Sequence, residues 1–91
     1  MWEYEIIEYK NFLKLERSLS ENSISAYVSD VNKFVQFLEI KNLKISYVDI
    51  DSKIISNFLE YIVKLGVSSY TQARIISGIK SFFFYLLISR N

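Results

Sequence analysis

Arg74 and Lys80 stand in the stretch SSYTQARIISGIKSFFFYLL, Ser68 to Leu87, and no acid follows Glu60 anywhere in the chain. Two cations on an acid-free segment suit a polyanion. Arginine can fork onto a phosphate or a guanine edge, while lysine acts more as a point charge. The same segment opens with four hydroxyls, Ser68, Ser69, Tyr70 and Thr71. Beside the free N–H groups of a helix N-terminus these could hold a phosphate, or Ser68 could simply cap the helix. Ser20, Asn22, Ser23 and Ser25 form a matching cluster earlier in the chain.

Other chemistries lack their residues. There is no histidine and no cysteine, which removes the commonest general base and the thiolate metal sites. Seven tyrosines are present, but none has a histidine-bearing cationic cluster to activate it as a nucleophile. Asp49 and Asp51 lie two apart in a connection and read as turn and cap residues. An autonomous small enzyme is therefore disfavoured, and no metal or nucleotide cofactor is implied. No apolar run approaches the roughly 18 residues that span a bilayer. The start, MWEYEIIEYK, interleaves acids and resembles no signal peptide, so a cytoplasmic, membrane-free protein is the expectation.

The charge is unevenly spread. Residues 1–50 carry six basic and eight acidic side chains, and residues 51–91 carry five and two. The overall net charge is only +1, so any polyanion would meet the C-terminal half.

Helices must position these groups. With 91 residues, no proline and two glycines, the chain suits one small domain of helices joined by short connections. Helical spacing predicts a first helix over about Trp2 to Glu16, with Trp2, Ile6, Tyr9, Phe12 and Leu13 on its inner side. Ser20 is a natural N-cap for a second helix ending near Ile40, with Leu19 and Ile24 at staple positions. Its inner stripe would be Ile24, Tyr27, Val28, Val31, Phe34, Val35 and Leu38. A ten-residue connection leads to Asp51, N-cap of a third helix with core residues Ile55, Phe58, Leu59 and Ile62. Gly66 ends that helix as a left-handed residue, and Ser68 opens the fourth.

On the fourth helix Gln72, Ile75, Ile76, Ile79, Phe82, Phe83 and Leu86 share the inner side. Tyr70, Ala73, Arg74, Ser77, Lys80, Ser81, Phe84 and Ile88 lie opposite. Ala73, Ser77 and Ser81 form a ridge of small residues that would let another surface approach closely. Phe84 and Ile88 are apolar on an outer face, which marks a partner surface unless the first helix covers them.

Two segments carry a family resemblance. LERSLSENSISAYVSDVNKFVQFLE and GVSSYTQARIISGIKSFFFYLL are similar, in order and spacing, to the N-terminal SAM-like, or core-binding, domain of the tyrosine recombinases, the phage integrases and Xer-type recombinases. The resemblance runs from about Tyr4 to Leu87. It implies an all-α orthogonal bundle of four or five helices, spanning 1–91 as one domain, that forms half of a clamp on duplex DNA. The catalytic domain that would cleave DNA lies outside this chain, so the fragment itself is no enzyme. Implied partners are double-stranded DNA, the catalytic domain of the same protein and neighbouring protomers in a synaptic complex.

Arg74 and Lys80 fall on the family's basic positions. The expected DNA-facing set is Ser20, Asn22, Ser23, Lys33, Ser68, Ser69, Tyr70, Thr71, Arg74, Ser77 and Lys80, with Phe84 and Ile88 as a partner interface. After the motif tyrosine, Tyr27, the family often carries Arg or Lys; here stand Val28 and Ser29, with Lys33 a partial substitute. Tyr27 is expected in the core, and Asp30 beside a cation, Arg74 being one candidate. On this reading Arg74→Ala and Lys80→Ala weaken DNA binding with little loss of stability, and Phe83→Ala costs about 3–5 kcal/mol if fully buried. The competing reading is a helical protein–protein interaction module with no nucleic-acid role.

Overall fold

The computed structural model describes residues 2–89. Four α-helices, α1 (Glu3–Leu15), α2 (Glu21–Ile40), α3 (Ser52–Lys64) and α4 (Ser69–Ser89), pack around one core, and no strand occurs among the described residues. The domain is all-α, as the glycine- and proline-poor sequence implies.

Local chemistry sets the helix ends where the sequence places them. Ser20 Oγ accepts from Ser23 N–H at 3.2 Å, Asp51 Oδ1 from Ile54 N–H at 2.9 Å, and Ser68 Oγ from Thr71 N–H at 3.2 Å. Each satisfies a donor that the first helical turn leaves free. Gly66 has φ +84°, and Val67 N–H closes back onto Ile62 carbonyl at 3.3 Å. Asn42, at φ 58°, ends α2 in the same way, with Leu43 N–H on Leu38 carbonyl at 2.8 Å. Glycine and asparagine tolerate this left-handed backbone best. The connection after α2 is not featureless: Tyr47–Asp49 forms a 3₁₀ turn, η1, capped by Ser46.

The core is largely aromatic. Trp2 and Phe82 stack at 6.2 Å, Tyr9 meets Phe82 edge-on at 5.2 Å, and Phe34 meets Phe58 edge-on at 5.0 Å. Phe37 continues the chain of rings to Phe58 at 5.4 Å. Trp2 also meets Phe34 at 6.0 Å, so one series of ring contacts ties all four helices. Trp2 sits just ahead of α1 rather than within it, with a left-handed backbone that is costly for a bulky residue. Burial of its indole, and an Nε1–H bond to the Ile45 carbonyl at 3.3 Å, hold it there.

The inner stripes follow the periodicity in part, with Ile6, Phe12, Ile55, Leu59, Gln72 and Ile76 half-buried at their edges. On α2, Tyr27 and Val28 are only half-buried, while Phe37 and Asp30, outside the expected stripe, are fully buried. On α4, Phe83 is half-buried, not interior. Ser81 does not stand on an outer ridge: it is half-buried and accepts the Tyr9 hydroxyl proton at 3.0 Å. Burial raises the Tyr9 phenol above its ordinary range, and this bond partly opposes the shift.

α2 and α4 share the most extensive helix contact, and Gly78 sits tightly within it. A Cβ at Gly78 would stand 3.3 Å from Asp30 Oδ2 and 3.3 Å from Tyr27 Cδ1. Gly78→Val should therefore lower stability by about 1–3 kcal/mol, because the added carbons must push α2 away. Urea unfolding checks this; an unchanged midpoint would mean that the two helices are not in close contact there.

Candidate nucleic-acid interface

Ala73, Arg74, Ser77 and Lys80 are all exposed on α4. Ser69 and Tyr70 are exposed at its N-terminus, and Thr71 is half-buried. The hydroxyls of Ser68 and Thr71 bond to each other at 3.1 Å, and Ser20 and Ser23 do the same at 3.1 Å. Each cluster keeps these bonds within its own first turn, so capping is their demonstrated use. Asn22 is exposed beside the second cluster.

The two cations differ in their surroundings. Lys80 is exposed and forms no ion pair among the described residues. Arg74 Nη2 donates to Asp30 Oδ1 at 2.9 Å, across 44 residues of sequence, while its side chain stays 42% exposed. Asp30 is wholly buried. Burial pushes its carboxyl above the usual range, and Arg74, then Lys33, pull against that shift. Lys33 itself is half-buried on α2 and donates to Ser29 Oγ at 3.1 Å. The tertiary fold thus brings Asp30 of α2 to Arg74 of α4. The acid expected near a cation lies beneath the surface, and the cation lies upon it.

The sequence matches one family. The chain matches "Phage integrase, N-terminal SAM-like domain" over residues 6–90. It belongs to that family.

The tyrosine recombinase XerD of Staphylococcus epidermidis is 45% identical over 78 residues, covering 85% of this chain and 26% of the relative. XerD of Oceanobacillus iheyensis is 33% identical over 87 residues, 96% of this chain and 29% of the relative. XerD of Staphylococcus aureus is 37% identical over 78 residues. No solved structure gives a significant match. The chain spans about a quarter of the length of these curated relatives. It is the N-terminal domain of a recombinase family, and the catalytic domain is absent from this chain.

A second surface lies on the far part of α4. Phe84 and Ile88 are 63% and 59% exposed, so α1 does not cover them. Phe84 borders an apolar groove of about 760 Å³ between η1, the start of α3 and α4, lined also by Val48, Ile55, Phe83 and Leu87. Lys80 stands at its rim. Periodicity alone located Phe84 and Ile88 on an outer side but not the groove, because Val48 reaches it from the connection after α2. No helix among the described residues is long and apolar enough to cross a membrane.

Proposed function

We propose that this domain binds duplex DNA as the non-catalytic part of a site-specific tyrosine recombinase, with the outer face of α4 against the backbone. The observation that carries the reading is the exposed row Arg74, Ser77 and Lys80, on a helix without a single acid, in a chain of this family. Arg74 and Lys80 contact phosphates or a groove edge, and the small side chains of Ala73 and Ser77 let the duplex come close. Lys33 and the capped N-termini at Ser20–Ser23 and Ser68–Thr71 supply further phosphate contacts. Strand cleavage and rejoining belong to a catalytic domain elsewhere in the protein. Phe84 and Ile88, with the adjoining groove, meet that domain or a neighbouring protomer.

Salt dependence tests the reading. Affinity for duplex DNA, measured on this chain alone and joined to a catalytic domain, should fall steeply with salt. Lys80→Ala, which breaks no ion pair, should weaken binding uniformly across sequences and reduce the salt slope by about one. Thermal stability should stay within roughly 0.5 kcal/mol of the parent. Binding that ignores salt in both formats would instead favour a protein-binding module acting through the apolar groove.

A further inference from the structure

Asp30 is a charged side chain with no exposure, on the side of α2 that faces α4. One oxygen, Oδ1, accepts from Arg74 at 2.9 Å. The other, Oδ2, is buried with no hydrogen-bond partner. Gly78 lies against that oxygen: a Cβ there would stand 3.3 Å from Oδ2 and 3.3 Å from Tyr27 Cδ1.

Such a pair is a poor device for stability alone. Taking a carboxylate out of water offsets much of what its attraction to a cation returns. What it does well is fix a direction. A guanidinium is planar and carries five N–H donors in a rigid fork. With Nη2 tied to a buried oxygen, the plane is anchored at one corner, and its other donors remain for the 42% of the side chain that reaches solvent. An unrestrained arginine loses rotamer freedom when it meets a ligand, whereas this one has lost it on folding.

We propose that Asp30 is a positioning residue that presents the Arg74 guanidinium as a preset phosphate donor. This rests on reading the outer face of α4 as the DNA surface. It also reverses an expectation from charge alone. An acid close to a polyanion should repel it, so neutralising Asp30 should tighten binding; a positioning role requires that binding weaken.

The test is duplex binding across a range of salt by the chain and three variants, with thermal unfolding followed in parallel. Asp30→Asn keeps the shape and removes the charge. It should bind roughly three- to tenfold more weakly, the loss for one long side chain ordered on binding instead of beforehand. Asp30→Asn with Arg74→Gln, which leaves no buried charge uncompensated, should bind more weakly still, because the Arg74 contact itself is then lost. Arg74→Lys keeps charge without the fork and should also bind less tightly, an arm that needs no change at Asp30. Thermal unfolding of Asp30→Asn, with affinity compared where the variant stays folded, separates positioning from mere loss of folded protein. If Asp30→Asn or Arg74→Lys binds as tightly as the parent while the double variant is weaker, Arg74 reaches DNA without Asp30 and the proposal is overturned alone. If the parent shows no salt-sensitive binding, or the double variant matches it, the DNA surface on α4 falls and the proposal with it.

Discussion

Phe82→Ala should destabilise the domain by about 3–5 kcal/mol in urea unfolding, the largest effect expected of any single side chain on α4. Phe82 is 1% exposed and meets Trp2, Tyr9 and Phe83 at ring distances of 6.2, 5.2 and 5.4 Å. These partners come from α4 itself, from α1 and from the residue that leads into α1. A cavity at their junction cannot collapse without moving a helix, which is the condition under which truncation costs most. For a domain of this size such a loss is a large part of the roughly 5–15 kcal/mol of total stability. Phe83→Ala, expected from periodicity to cost as much, should cost only about 1–2 kcal/mol, because Phe83 is half-buried and one side borders the groove. Equal losses at the two positions would mean that the inner edge of α4 is drawn in the wrong place.

The second large effect concerns Arg74→Ala, where the structure revises what the sequence suggests. An exposed arginine on a surface helix should be replaceable at little cost. Arg74 is not free, since it neutralises Asp30 at 2.9 Å. Its removal leaves a buried carboxylate with neither ion pair nor hydrogen bond among the described residues. We expect a loss of about 3 kcal/mol, at the low end for a broken buried pair because the arginine end is partly in water. DNA binding should weaken in the same variant, so affinity must be compared at temperatures where it remains folded.

The pH dependence of that loss identifies its cause. Asp30 is faced by Arg74 from α4 and by Lys33 from α2, and its charge also acts on the Tyr9 hydroxyl of α1. Burial already places its carboxyl above the ordinary value of 3.8, and losing Arg74 raises it further. For a group raised on folding, the native state takes up the proton first. Its contribution to stability is full below the unfolded value and is lost as pH rises through the folded one. The deficit of Arg74→Ala should therefore be greatest near neutral pH and shrink as pH falls toward 4, relative to the parent. Adding Asp30→Asn should recover much of it at neutral pH. A deficit that is constant with pH and untouched by Asp30→Asn would assign the effect to lost packing of the Arg74 stem.

How much could be read without the fold varies by residue. Ser20, Asp51 and Ser68 bond to backbone N–H groups three residues on, and Gly66 turns on its own φ. Such effects act within one helical turn, so residue type and order suffice to locate them. The same holds for the outward direction of Arg74, Lys80, Phe84 and Ile88, which follows from 3.6 residues per turn. Asp30 is the contrary case. A carboxylate scores as polar in any periodic pattern, and its burial depends on a cation supplied by another helix.

The helix caps, the all-α class and the family phrases were thus settled by the sequence itself, because local backbone chemistry and side-chain period decide them. Tertiary structure alone decided that Arg74 is held by Asp30, that Gly78 admits the carboxylate, that Ser81 turns to Tyr9 and that Phe83 edges a groove. Periodicity tells which way a side chain points from its own helix axis. It does not tell how near the neighbouring axis comes or which residue waits there, and between α2 and α4 those two quantities determine where charge can be buried.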